Sequence, residues 1–161
     1  MPPSSRIIDI YTDGSCHTQH RIGAWASLLF TGQEKIVLTG NEADTTHNRM
    51  ELTAVIKAIE YISKNFKGVA ILNIFSDSQY VVGLTGRKEK LSAHQFITKK
   101  GNDIQNADLV KALLSLTECF EIEFIKVKAH QKKDETVNYN IEVDKLSRKL
   151  VREAVIQLKQ I

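Results

Sequence analysis

The sequence lacks the features that mark several classes of protein. It contains only two cysteines, Cys16 and Cys119, too few for a disulfide-stabilised scaffold or a closed zinc site. No apolar run is long enough to span a membrane, and no hydrophobic segment of a signal peptide opens the chain. These absences favour a protein of the reducing cytoplasm that binds no membrane.

Internal repeats, low-complexity segments and interdomain linkers are also absent from the sequence. Of its 161 residues, 42% are hydrophobic and 25% are charged, the composition of one globular domain with an ample core. We therefore expect a loose tail over residues 1–6 and a single domain over residues 7–158. The net charge of +3 permits binding to nucleic acid without requiring it.

Hydrophobic periodicity predicts elements in the order βββαβααβα. The first strand begins at Ile7 and ends at the turn signal Asp13-Gly14-Ser15. The later strands are predicted over Gly23–Phe30, Lys35–Thr39, Val69–Phe75 and Glu121–Lys128. A strand, a long helix and a second strand imply a right-handed crossover and parallel pairing. The fold class is therefore α/β, with three antiparallel strands, parallel additions and covering helices.

The last helix is predicted from apolar residues at helical spacing after a polar loop. Its predicted inward side chains are Val143, Leu146, Leu150, Ala154 and Leu158.

Four acidic residues stand at the borders of these core elements. Asp13 ends the first strand, and Asp77 directly follows the buried strand. Glu51 lies in the first turns of the central helix, and Asp144 lies near the start of the last helix. Neighbouring parallel strands gather ligands at their carboxyl ends, so Asp13 and Asp77 should face each other. Carboxylates without matching lysines repel one another, and oxygen ligands suit Mg²⁺ or Mn²⁺.

Each acid also has a plainer interpretation that the sequence alone leaves open. Asp13 is compatible with a turn-capping residue. Glu51 is compatible with an acid favoured by the helix dipole, and Asn48 with Glu51 resembles a capping box. Asp77 is compatible with a helix N-cap, and Asp144 with another helix-start acid.

Four segments, in this order, resemble the signature segments of type 1 ribonuclease H: YTDGSC, NRMELTAVIKAIE, SDSQYV, and VKAH followed by NxxxD. The resemblance extends from about Ile7 to Ala154. It implies the ribonuclease H-like fold, a five-stranded mixed sheet with helices on both faces. The implied activity is endonucleolytic hydrolysis of the RNA strand of RNA–DNA hybrids, leaving 5′-phosphate and 3′-hydroxyl ends. The implied protein is a monomer without a small-molecule cofactor.

The resemblance also assigns roles at the catalytic site. Asp13 matches the aspartate that bridges two metal ions, and Glu51 and Asp77 match the ligands of the leaving-group ion. Asp144 matches a ligand of the nucleophile-side ion. Two Mg²⁺ ions are implied, with Mn²⁺ as a substitute; one would activate the attacking water and the other would stabilise the departing oxygen. His130 matches the family's mobile histidine, although in isolation a histidine in a polar loop is interpreted as a surface residue.

Further matches concern nucleic-acid binding. Thr46 and Asn106 match the pocket that grips a phosphate of the DNA strand, and Asn48 matches a contact in the minor groove. Asn140 matches the asparagine that opens the last helix; its plainer interpretation is an N-cap. The family senses RNA through its 2′-hydroxyl groups.

Two of the departures from the family concern the phosphate pocket and the basic handle. Asp44 stands where many relatives carry a basic residue, which predicts a weaker phosphate pocket. The segment Gly86–Asn106 takes the place of a basic handle but contains no tryptophan. We expect a short helix there and phosphate contacts from Lys99 and Lys100, the alternative being a solvated face.

Two other functions are compatible with the resemblance. A binding module that has lost catalysis is disfavoured because all four carboxylates are present. Another metal nuclease of the wider superfamily, such as a transposase core or a 3′–5′ exonuclease, is disfavoured by the NRMEL and DSQYV segments and the compact length.

Overall fold

A single five-stranded sheet organises the protein, whose computed structural model describes residues 6–32, 34–128 and 138–159. The strands are β1 (Arg6–His17), β2 (Ile22–Phe30), β3 (Lys35–Glu42), β4 (Val69–Ser76) and β5 (Glu121–Lys126). Their order across the sheet is β3-β2-β1-β4-β5. The first three pair antiparallel, whereas β4 joins β1 and β5 joins β4 in parallel. The predicted mixed sheet is confirmed.

Helices cover both faces of this sheet. They are α1 (His47–Asn65), α2 (Gln79–Gly83), α3 (Lys88–Ala93), α4 (Ala107–Leu116) and α5 (Tyr139–Lys159). A single 3₁₀ turn, Thr85–Arg87, leads into α3, the short helix expected between α2 and α4. Within the described ranges, no helix combines the length and the apolar character that crossing a membrane requires.

The alternation of side chains along β1 creates two apolar layers. Ile8 and Ile10 are fully buried among the apolar residues of α1 and α4. Tyr11 points to the opposite face, where its ring lies 5.3 Å from that of Tyr139 in α5. The helices α1 and α5 therefore pack on opposite faces of β1, the strand that carries Asp13.

The buried side of α5 agrees with the prediction in part: Val143 is fully buried, and Leu146 and Leu150 are partly buried and pack against core clusters. Its most buried residues after the first turn are Val143, Ser147, Val151 and Val155, spaced four apart, while Leu158 is 45% exposed. The Ser147 hydroxyl donates a hydrogen bond of 3.1 Å to the backbone carbonyl of Asp144. The buried hydroxyl therefore has a partner within its own helix. Because Ser147 is polar, apolar periodicity did not reveal that it lies at the centre of the buried side, between Val143 and Val151.

Candidate active site

The first strand does not end at Asp13, so the predicted turn was wrong. β1 continues to His17, and Asp13, Gly14 and Ser15 pair with β2. A Cβ atom at Gly14 would lie 2.5 Å from the backbone nitrogen of Glu51. The glycine is therefore required by the close approach of α1 to the strand, and this approach brings Glu51 over Asp13.

Three carboxylates meet where β1, β4 and α1 converge. Asp13, Glu51 and Asp77 each offer an oxygen, and these atoms lie within 4.8 Å of one another. Asp13 is 3% exposed and Glu51 is 8% exposed, so neither charge is well solvated. The backbone N–H of Gly14 donates a hydrogen bond of 2.9 Å to Asp13 Oδ1. Asp77 does not cap a helix, because the N-cap of α2 is Ser78.

The electrostatics of this cluster favour a bound cation. The pKa of Asp13 is raised to about 7: burial is the main cause, the charges of Asp77 and Asp144 add to it, and hydrogen bonds with Glu51 and Gly14 offset part of the rise. Burial, followed by the charge of Asp13, raises the pKa of Glu51 well above its usual range. Glu51 Oε2 is buried without a hydrogen-bond partner among the described residues. A buried oxygen of this kind is costly unless a donor or a cation completes it. The all-oxygen donor set fits Mg²⁺ or Mn²⁺.

Asp144 lies beside this cluster but does not belong to it. It occupies the second turn of α5, and its Oδ1 forms an ion pair of 3.1 Å with Arg148 Nε. Its charge nevertheless contributes to the raised pKa of Asp13, which indicates that the two acids are near each other. Its role as a metal ligand stays a prediction.

Asn140 is a buried residue and not the cap of its helix. Its Nδ2 donates a hydrogen bond of 3.1 Å to the carbonyl of Lys128, and its Oδ1 has no hydrogen-bond partner among the described residues. The side chain of Asn138 accepts from the backbone N–H groups of Asn140 and Ile141, at 3.0 and 3.3 Å, so Asn138 takes the capping role. The predicted catalytic residue His130 lies outside the described residues.

Three of the predicted nucleic-acid ligands line one cavity of about 360 Å³. Its lining residues are Thr46, His47, Asn48, Gln105 and Asn106. Thr46 is the N-cap of α1 and accepts a hydrogen bond of 3.3 Å from the backbone N–H of Arg49, so the predicted capping box with Asn48 is not formed. Asn106, with a positive φ of 59°, precedes α4 on the other side of the cavity. The N-termini of two helices therefore border one polar cavity.

An ion pair that the sequence did not reveal holds the two sides of this cavity together. Arg49 donates two hydrogen bonds to Asp108, of 3.0 and 2.9 Å, and a longer one of 3.5 Å to Asn106 Oδ1. These bonds lower the pKa of Asp108 to about 2. Asp108 stands in the first turn of α4, where sequence reasoning interprets an acid as favoured by the helix dipole. Only the tertiary structure identifies Arg49 as its partner.

The remaining predicted residues are exposed. Lys99 and Lys100 lie in the turn between Ile97 and Asp103, which form an isolated antiparallel bridge.

Asp44 lies two residues before Thr46 and has an ionic partner. Its Oδ1 accepts a hydrogen bond of 2.9 Å from Arg21 Nε. The carbonyl of Arg21 in turn accepts from the backbone N–H of Thr45 at 3.0 Å. These two hydrogen bonds therefore link the loop after β1 to the segment that leads into α1.

Comparisons with known proteins identify the family of this chain. The family model of RNase H matches residues 5–152. The chain is 40% identical over 129 residues to the ribonuclease H of Methylobacillus flagellatus, covering 79% of this chain and 82% of that one. It is 32% identical over 148 residues to the ribonuclease H of Thermoanaerobacter sp., covering 91% of this chain and 90% of that one.

A solved structure supports the same fold. The crystal structure of LC9-RNase H1, described as a type 1 RNase H with the type 2 active-site motif, superposes with a TM-score of 0.78. The match covers 93% of this chain and 74% of that one at 21% sequence identity. With the family match over most of its length, the chain belongs to the ribonuclease H family.

Proposed function

We propose that this protein is an endonuclease that hydrolyses the RNA strand of RNA–DNA hybrids with two divalent metal ions. The products would carry 5′-phosphate and 3′-hydroxyl ends. The observation that carries this proposal is the buried cluster of Asp13, Glu51 and Asp77, in which one Glu51 oxygen has no hydrogen-bond partner among the described residues. Family membership supplies the substrate class.

Four carboxylates would hold the ions, namely Asp13, Glu51, Asp77 and Asp144. When bound, the ions supply an activated water and stabilise the charge on the departing oxygen. The chain fixes the geometry beforehand: the Gly14 N–H orients Asp13, and α1 places Glu51 against the strand. Arg148 holds Asp144 at the edge of the cluster, within reach of its electrostatic field.

The cavity lined by Thr46, Asn48 and Asn106 would bind the DNA strand. The N-termini of α1 and α4 border it, and helix N-termini favour phosphate through their free N–H groups and dipoles. The Arg49–Asp108 pair keeps these two helix ends together. Discrimination for RNA would come from contacts to 2′-hydroxyl groups near the carboxylates.

A cleavage assay tests this function. A hybrid labelled on its RNA strand is incubated with Mg²⁺, in parallel with RNA duplex, DNA duplex and a chelator control. Internal cuts in the hybrid alone are expected. Binding without cleavage would indicate a module that has lost catalysis, and stepwise shortening from a 3′ end would indicate an exonuclease.

The variant His130→Ala is expected to lower kcat without changing hybrid affinity. General acid–base groups typically contribute roughly 10²–10⁴-fold, and a role in product release would give less. Single-turnover and steady-state rates, measured together, separate these two roles. A normal kcat with weakened affinity would instead make His130 a binding residue.

The variant Asp44→Asn is expected to tighten hybrid binding. The substitution removes a negative charge near the phosphate cavity. It also releases Arg21, which in the wild type pairs with Asp44 and offsets part of the repulsion between Asp44 and the phosphates. If Arg21 gains one phosphate contact, the plot of log affinity against log salt should steepen by about 0.9, the value for B-DNA. The affinity is measured over a salt series with Ca²⁺ replacing Mg²⁺.

The matched control for this variant is Glu153→Gln, which releases Lys149 from a similar exposed ion pair on α5. The control should leave both affinity and salt dependence unchanged. If Asp44→Asn is equally silent, Asp44 points away from the substrate.

A further inference from the structure

A cavity of about 390 Å³ opens in the segment between α2 and α4, and none of the four carboxylates lines it. Its apolar lining consists of Leu91, Phe96, Ile97 and Ile104. Leu91 is buried and Phe96 and Ile104 pack against the main core, while Ile97 is 40% exposed at the mouth. An apolar recess open to solvent on this scale is large enough for a flat ring or a branched side chain.

The rim of this cavity is basic. Arg87, Lys90 and Lys99 line it together with the imidazole of His94, and no acidic residue is among its lining residues. Within the described part of the chain, none of these three cations lies within 4.0 Å of a carboxylate. A ligand that complements this cavity therefore carries both an apolar group, for the recess, and negative charge, for the rim.

The backbone around Phe96 adopts an uncommon conformation to form this recess. Gln95 and Phe96 have positive φ angles of 55° and 59°, in the left-handed region that non-glycine residues rarely occupy. Two backbone hydrogen bonds hold Phe96 there: its N–H donates to Leu91 at 2.9 Å, and its carbonyl accepts from Ile104 at 3.0 Å. These bonds fix the backbone at Phe96, whose side chain lines the recess, packs against the main core and has Lys111 Nζ 5.4 Å from its ring centroid.

The recess is adjacent to the phosphate cavity described above. Ile104 lines the apolar recess and Asn106 lines the phosphate cavity. Two residues span at most about 7 Å even when fully extended. The walls of the two cavities are therefore adjacent where Ile104 leads to Asn106.

We propose that the recess binds an unpaired base of the DNA strand where that strand continues beyond the hybrid, and that the basic rim binds its phosphates. This inference rests on the proposed function. Single-stranded nucleic acid is typically bound by an aromatic ring that stacks with a base beside cations that follow the backbone. A paired base cannot enter, because its partner holds it in the duplex, so the recess would recognise the junction at the end of a hybrid.

An acidic peptide with an apolar side chain offers similar chemistry. The DNA strand is favoured because the neighbouring cavity, bordered by two helix N-termini, already suits a phosphate on the same path. The peptide is retained as an outcome of the experiment.

The experiment compares a blunt hybrid with the same hybrid whose DNA strand carries a short unpaired tail at one end or the other. Affinities of the full chain are measured with Ca²⁺ in place of Mg²⁺, and a fluorescent adenine analogue marks the first unpaired base. A tail at one end should tighten binding roughly 5- to 150-fold, the range expected for stacking of one base, and should change the fluorescence.

Two variants alter the lining of the recess and leave the carboxylates unchanged. Ile97→Ser removes apolar surface at the mouth, and Phe96→Leu keeps an apolar residue but removes the stacking ring. Both should abolish the advantage of the tail and leave affinity for the blunt hybrid unchanged. The matched control is Ile156→Ser, at a 55% exposed isoleucine on α5, which should retain the full advantage. Melting curves confirm that each variant is folded.

Three outcomes overturn the proposal. In the first, the tail gives no increase in affinity over the blunt hybrid. In the second, the variants weaken binding of blunt and tailed hybrids equally. In the third, a short acidic peptide ending in phenylalanine binds the recess and the tail does not. Failure to cleave the blunt hybrid is a separate result, which counts against the proposed function and not against the recess.

Discussion

Asp13→Asn and Asp77→Asn are each expected to lower kcat for hybrid hydrolysis by about 10³-fold or more in Mg²⁺. Both substitutions remove a charged oxygen from the cluster whose ligand atoms lie within 4.8 Å of one another. Metal ions contribute several kcal/mol of charge stabilisation in the transition state, and each 1.36 kcal/mol corresponds to about tenfold in rate.

The matched control for this pair is Asp9→Asn. Asp9 lies on the same strand, and its Oδ1 accepts a hydrogen bond of 3.0 Å from Asn73, which an asparagine oxygen can also accept. This variant should retain wild-type kcat. Circular dichroism shows whether all three variants are folded. Wild-type turnover in either cluster variant would remove that acid from the metal site.

The stability of the metal-free protein is expected to fall as the pH rises from about 4 to about 7. The pKa of Asp13 is raised from 3.8 to about 7 in the folded protein, chiefly by burial. Between these values the folded state binds a proton that the unfolded state has released, so deprotonation favours unfolding. The loss is on the order of a few kcal/mol, or about 10 °C in Tm for a protein of this size. Asp108 does not obscure this window, because its pKa is lowered to about 2.

Thermal melts in chelator over this pH range measure the effect. Asp13→Asn should show a flatter profile and a higher Tm than the wild type at neutral pH. Adding Mg²⁺ at neutral pH should raise the Tm of the wild type more than that of the variant, because ligands stabilise the state that binds them. A wild-type Tm that is constant or rises across the window would contradict the raised pKa of Asp13.

The sheet and the meeting of two acids could be predicted because both follow from local pattern and topology. Periodicity located the strands, and the crossover rule placed β4 beside β1, which brings Asp77 towards Asp13. The role of Glu51 was assigned by resemblance. Its position over Asp13 depends on a tertiary contact, the close packing of α1 against β1 that leaves room only for a glycine at Gly14.

The errors have a common physical origin. Gly14 was interpreted as part of a turn because glycine serves both turns and close contacts, and the sequence does not distinguish them. Asp108 and Ser147 escaped notice because their partners depend on how the helices pack and on which side of α5 is buried. Local chemistry therefore identified the acids of the cluster, while only the tertiary structure identified residues whose role depends on a distant partner.

The close contact at Gly14 also bears on how this protein could change by mutation. Any side chain there would meet the α1 backbone at 2.5 Å, so substitution threatens folding itself. The acids that this contact brings together oppose folding when no metal is bound, because burial and mutual repulsion disfavour their charges. Selection for stability alone would therefore retain the glycine and discard the carboxylates. Without selection for catalysis, a duplicate of this gene would therefore accumulate substitutions of the carboxylates. The resulting protein would be more stable, would keep the fold and would be inactive.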